Sequence, residues 1–185
     1  QSYRPEIDTL VKWTCQIADA LHYSHENGVT HRDVKPANII VDESGNALLT
    51  DFGLASFSES QVAITQTGEL VGTPAFMSPE QDAAGTQDVD FRTDSYSLGA
   101  TLYFLLAGRP PVEGSFSSVI KQVAEQNPTP IRSDRDGIAQ DLVTIVNKCL
   151  MKAPEERYST ARELADDLRR FQRGELILAK QAGLI

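Results

Sequence analysis

The chain has 185 residues, 41% of them hydrophobic, and a formal net charge of −9, which suits one domain with a substantial core. A pI near 4.8 argues against nucleic acid or an anionic membrane as the main partner. The longest uncharged run, Ser95 to Gly108, is too short to span a bilayer and is interrupted by Gly99, and no signal-peptide pattern opens the chain, so this segment is expected to be soluble.

From Pro5 onward, apolar residues fall at Ile7, Leu10, Val11, Thr14, Ile17, Ala18 and Leu21, the spacing of one helix face. Pro5 suits a first turn and Asn27-Gly28 a left-handed stop, so the helix should end just before Val29. His31-Arg32-Asp33-Val34-Lys35-Pro36-Ala37-Asn38 comes next. Ile39-Ile40-Val41, a polar turn from Asp42 to Asn46, and Ala47-Leu48-Leu49-Thr50 then read as an antiparallel hairpin, followed by Asp51-Phe52-Gly53. Because a hairpin returns the chain to its starting end, Asn38 and Asp51 should stand side by side at its mouth. Together they would offer two hard oxygen ligands to one Mg²⁺, with Asp33 as a third polar group nearby.

Leu54 to Val71 is polar, without a period, and reads as a loop. Asp94 then opens Ser95 to Ala107, apolar nearly all round, which predicts a central buried helix with Asp94 capping its first turn and Gly108 and Pro110-Pro111 stopping it. Three more helices follow. One covers Phe116 to Gln126, a second carries the stripe Leu142, Ile145, Val146, Cys149 and Leu150, and a third carries Ala161, Leu164, Ala165, Leu168 and Phe171. Thr160 to Glu163 forms a capping box for the last, and Gly174 closes it. Cys15 and Cys149 fall at apolar positions of helical patterns with no CxxC neighbour, and read as core thiols in a reducing compartment. His22, His25 and His31 show no ligand spacing.

His31-Arg32-Asp33 with Asn38, answered by Asp51-Phe52-Gly53, resembles the catalytic loop and metal-binding motif of protein kinases. Gly72-Thr73-Pro74-Ala75-Phe76-Met77-Ser78-Pro79-Glu80 resembles the end of their activation segment. The resemblance implies a mainly helical fold, the kinase large lobe built around a buried central helix with a small β-hairpin at the active site, as part of a two-lobe α+β kinase. Residues 1–173 would be that lobe and 174–185 a tail or the start of a linker. The small lobe's glycine-rich loop, strand lysine and helix glutamate are not found in the sequence, so the segment alone should be weak or inactive.

The implied activity is transfer of the γ-phosphoryl group of ATP, with Mg²⁺ or Mn²⁺, to serine or threonine of proteins. By resemblance Asp33 orients the acceptor hydroxyl and takes its proton, Lys35 meets the transferred group, Asn38 and Asp51 hold the metal, and Ile40 lies under adenine. Thr73 would bond Asp33 and Lys35, a combination typical of serine/threonine kinases. Thr65 and Thr67 resemble the phosphorylated threonine pair of bacterial kinases of this type, with Arg32 as docking partner for the phosphate.

His31, Phe52, Glu80, Asp94 and Arg157 take structural places by the same resemblance: Asp94 fixes the backbone around His31 and Arg32, and Arg157 pairs with Glu80. Ser78, Ser95 and Val112 depart from the family's usual residues, the last two with looser packing expected. Implied partners are protein substrates, ATP and a second copy of the chain for trans-autophosphorylation. The implied location is cytoplasmic, with an anchor beyond residue 185 left open. The alternatives are a non-catalytic, pseudokinase-like docking module and, less well matched by Gly72 to Glu80, a small-molecule phosphotransferase.

Overall fold

A computed structural model describes residues 5–52, 63–64, 70–71, 74–82, 89–131 and 137–180. The order is α1 (Ile7–Glu26), β1 (Ile39–Val41), β2 (Ala47–Leu49), β3 (Ala63–Ile64), β4 (Leu70–Val71), α2 (Pro79–Asp82), α3 (Arg92–Ala107), α4 (Phe116–Glu125), α5 (Gln140–Cys149) and α6 (Ala161–Gln172). Single 3-10 turns at Pro36–Asn38, Pro74–Phe76 and Pro154–Glu156 each begin on a proline, whose fixed φ suits a first helical position.

Helix α1 buries Leu10, Val11, Thr14, Cys15, Ile17, Ala18 and Leu21, and it stops at Asn27 before Gly28, whose φ is +75°. Its buried face lies against α6 and α3. Its other flank holds the hairpin. Trp13 Nε1 donates to Gly45 O at 3.1 Å, Gln16 Nε2 to Asn46 Oδ1 at 3.0 Å, and Ala47 N donates back to Gln16 Oε1 at 2.9 Å. Strands β1 and β2 are antiparallel in the register Ile39↔Leu49, Ile40↔Leu48, Val41↔Ala47. Inside the stretch expected as a loop, Ala63↔Val71 and Ile64↔Leu70 form a second antiparallel pair. Two residues per strand are too few to leave a period in the sequence.

Helix α3 is the centre. Every residue from Thr93 to Tyr103 is buried, so the helix has no solvent face over that span. It begins at Arg92, two residues before Asp94, and Asp94 does not cap it. Asp90 serves that end instead: its Oδ1 accepts Arg92 N at 2.8 Å and its Oδ2 accepts the Arg92 guanidinium at 2.6 Å. Asp94 is thereby free to point out of the helix, toward the loop at His31. Gly108, with φ +73°, closes the C-terminus.

Gly99 lets α5 approach closely, since a Cβ there would lie 2.2 Å from Cys149 Cβ. Both cysteines are unpaired and buried, and burial pushes their thiols up, to about 11 for Cys15 and about 12 for Cys149. Thr160 Oγ1 accepts Glu163 N at 3.2 Å, but the Glu163 carboxylate takes the N–H of Ser159 at 3.0 Å. The return arm of the capping box is therefore displaced by one residue. Beyond Gly174 the chain is tied back, with Leu178 N and Ala179 N donating to the buried Asp167 carboxylate at 2.6 and 2.8 Å beside the Tyr158 hydroxyl.

Candidate active site

The site rests on one buried carboxylate. Asp94 accepts His31 N at 2.8 Å and Arg32 N at 2.7 Å, and its Oδ2 also lies 2.8 Å from His25 Nε2. Bonds to an ionised acceptor are among the stronger ones, each worth about 1.5–3 kcal/mol. They hold Arg32 in the left-handed region at φ +66°, a conformation that costs an L-residue roughly 1–2 kcal/mol. From the other side Gln81 Nε2 donates to Arg32 O at 2.8 Å.

The next turn presents the carboxylate of interest. His31 is fully buried; its Nε2 faces Thr50 O at 2.8 Å and its Nδ1 faces Asp33 N at 3.2 Å. A carbonyl only accepts and an amide N–H only donates, so His31 donates from Nε2 and accepts at Nδ1. Asp33 Oδ2 takes Lys35 Nζ at 2.8 Å and Asn38 Nδ2 at 3.0 Å, while the same Nδ2 donates to Asp33 O at 2.8 Å. Among the described residues no hydrogen bond uses Asp33 Oδ1 or Asn38 Oδ1, so both oxygens remain as acceptors.

The hairpin joins this turn to the last carboxylate. Asn38 O accepts both Thr50 N at 2.9 Å and Thr50 Oγ1 at 3.1 Å, which makes Thr50 the partner of Asn38 across the mouth. Asp51 follows at φ +62°, exposed, with Thr50 Oγ1 3.4 Å from its Oδ2. The structure thus brings Asp33, Lys35 and Asn38 into contact and sets Asp51 one residue beyond Asn38's partner. An amide oxygen and a carboxylate are hard donors of the kind Mg²⁺ takes alongside waters and phosphates. Phe52 packs edge-on to His31, with ring centroids 4.7 Å apart. Ile40 is 56% exposed on the hairpin's outer face, opposite exposed Leu48.

Arg157 uses all five of its N–H donors. Nη1 and Nη2 reach the two Glu80 oxygens at 2.6 and 2.7 Å, and the rest go to the carbonyls of Met151, Lys152 and Arg92 at 2.8, 2.9 and 3.2 Å. Gly53, Thr65, Thr67, Gly72 and Thr73 lie outside the described residues. Two residues that touch the loop escaped the sequence reading. His25 had a signal, since it falls seven residues after Ala18 and four after Leu21 on the buried face of α1. Gln81 had none beyond standing next to Glu80.

Residues 3–168 match the family model described as the protein kinase domain. The chain belongs to that family. Protein kinases use ATP and a divalent metal in general, and the architecture here is mostly helical with a small hairpin at the shared loop. The chain is 44% identical over 164 residues to the "Serine/threonine-protein kinase PknB" of Mycobacterium tuberculosis, covering 86% of this chain and 26% of that protein. It is 43% identical over 167 residues to the PknB kinase of Mycobacterium leprae, covering 90% and 26%. It is 40% identical over 172 residues to a probable serine/threonine-protein kinase of Corynebacterium efficiens, again covering 90% and 26%. The chain therefore spans about a quarter of the length of the curated relatives it matches.

Proposed function

We propose that this chain is the large lobe, residues 1–173, of a serine/threonine protein kinase that moves the γ-phosphoryl group of ATP to a serine or threonine of a protein substrate. The observation that carries the reading is the Asp33 cluster, a carboxylate with Lys35 Nζ and Asn38 Nδ2 on one oxygen and its other oxygen free of partners among the described residues. That free oxygen is the one that receives the proton of the acceptor hydroxyl. Lys35 lends positive charge to the group in transit, and Ile40 offers its exposed apolar side chain to adenine. Asn38 Oδ1 and the Asp51 carboxylate would hold Mg²⁺ or Mn²⁺, which when bound neutralises charge on the phosphates. Thr73 would bond Asp33 and Lys35, and phosphate on Thr65 or Thr67, added in trans by a second copy, would dock on Arg32.

Phosphoryl transfer asks mainly for positioning and charge stabilisation, and this lobe supplies the acceptor side of both. A glycine-rich loop, strand lysine and helix glutamate, none of which occurs in these 185 residues, would complete the phosphate clamp. The test uses the whole protein containing this chain, labelled ATP and a protein acceptor. Asp33→Asn should lower transfer by about 10²–10⁴-fold, and a folded D33N protein that retains full transfer would overturn the assignment. Nucleotide binding without any transfer by the parent would instead favour the non-catalytic docking module.

A further inference from the structure

We infer that Gln81 is a positioning residue for Asp33, tying the peptide that carries the catalytic carboxylate to the segment from Pro74 to Glu80, which resembles the end of a kinase activation segment; the inference rests on the kinase reading above. The side chain of Gln81 is a two-armed bridge. Its Oε1 accepts Ser78 N at 2.9 Å and Ser78 Oγ at 3.2 Å, and its Nε2 donates to Arg32 O at 2.8 Å. Both partners dictate the amide's orientation, since a backbone N–H cannot accept and a carbonyl cannot donate.

The arm on Arg32 O matters because that oxygen belongs to the peptide unit whose nitrogen is Asp33 N. The plane of this peptide is held at one edge by Gln81 and at the other by His31 Nδ1, 3.2 Å from Asp33 N. Arg32 itself is held left-handed, with its N–H on Asp94. A strained residue keeps its conformation only while its surroundings over-determine it. Asp94 fixes the peptide before Arg32; among the described contacts Gln81 is the side chain that fixes the carbonyl after it.

The other arm is anchored firmly. Ser78 is fully buried, and its Oγ lies 2.6 Å from Thr93 Oγ1 in the first turns of α3. Glu80, the residue before Gln81, is clamped by Arg157. The bridge therefore runs from the central helix through Ser78 and Gln81 to the backbone of the catalytic loop, and Asp33's direction depends on the placement of the segment around Pro74 to Gln81.

Two substitutions separate this role from support of the Ser78 turn. Gln81→Glu keeps an acceptor for Ser78 but loses the donor to Arg32 O; Gln81→Leu loses both arms. In the whole protein, Q81E should lower kcat about 10- to 100-fold, the scale of a catalytic group displaced by roughly an ångström, with KM for ATP and for the acceptor within about twofold. Q81L should fall at least as far. Amide hydrogen exchange should quicken over residues 31–35 in both variants and stay unchanged in α5 and α6. If Q81E keeps kcat within about twofold of the parent, or exchange over 31–35 does not change, the inference fails; a loss confined to Q81L assigns Gln81 to the Ser78 turn alone and also overturns it. A parent with no transfer activity would remove the kinase reading and this inference together, whereas an active parent with an indifferent Q81E removes only this one.

Discussion

Glu80→Ala offers a quantitative test of how the core is held. The Arg157 side chain is fully buried, and two of its five donors end on the Glu80 carboxylate, which is 17% exposed. Truncation at residue 80 leaves three N–H groups bonded to carbonyls and strands two N–H groups together with the full positive charge. Breaking a buried pair from one side costs about 3–5 kcal/mol. Water can enter from the Glu80 side, so the lower end applies, about 3 kcal/mol. At about 2–4 °C per kcal/mol for a chain of this size, Tm should fall by about 6–12 °C. Denaturant unfolding of the parent, Glu80→Ala, Arg157→Met and the double variant completes a cycle. The double should be less destabilised than the sum of the singles by at least about 1.5 kcal/mol, because removing the cation also removes the uncompensated charge. A loss below about 1 kcal/mol for E80A, or singles that simply add, would show that the pair is not the buried clamp its geometry describes.

Gly99→Ala should destabilise the chain by about 1–3 kcal/mol or more in urea, because the new Cβ would sit 2.2 Å from Cys149 Cβ between two packed helices. Among the described residues Ser95 Oγ and Thr101 Oγ1 are buried without a hydrogen-bond partner, so Ser95→Ala and Thr101→Val should each raise stability by about 1 kcal/mol in the same assay. Burial and then the Arg157 charge push the Lys152 ammonium down from 10.5 to about 8. Between those pH values the unfolded chain holds a proton that the folded one has released, so stability should climb with rising pH through that window. The climb should show as a difference between the parent and Lys152→Met across a series of buffered melts, and parallel curves would refute it.

The helices were legible because their apolar spacing and stop signals are local, as with Leu10 to Leu21 ahead of Asn27-Gly28. The hairpin was legible for the same reason, and its register sets Asn38 opposite Thr50. What local pattern could not supply was the use made of side chains that cross between elements. Asp94 reads as a cap from its place at the start of an apolar run, yet its carboxylate bonds residues more than sixty positions earlier in the chain. Asp90, four residues before it, takes the helix end instead. Asp167 looks like one more charge on the polar side of α6, but it is buried and ties down Leu178 and Ala179. In each case the sequence shows a carboxylate near a helix, and only tertiary approach decides which N–H groups it meets.

The left-handed backbone at Arg32 and at Asp51 means that the two ends of the proposed catalytic apparatus are loaded springs. Glycine at either position would relax the chain without a steric penalty, but at 32 it would let the adjoining Asp33 carboxylate wander, and at 51 it would remove the carboxylate altogether. A breeding scheme that rewards heat tolerance alone should therefore drift toward glycine at 32 and 51, and its winners would be sturdy proteins with blunted chemistry.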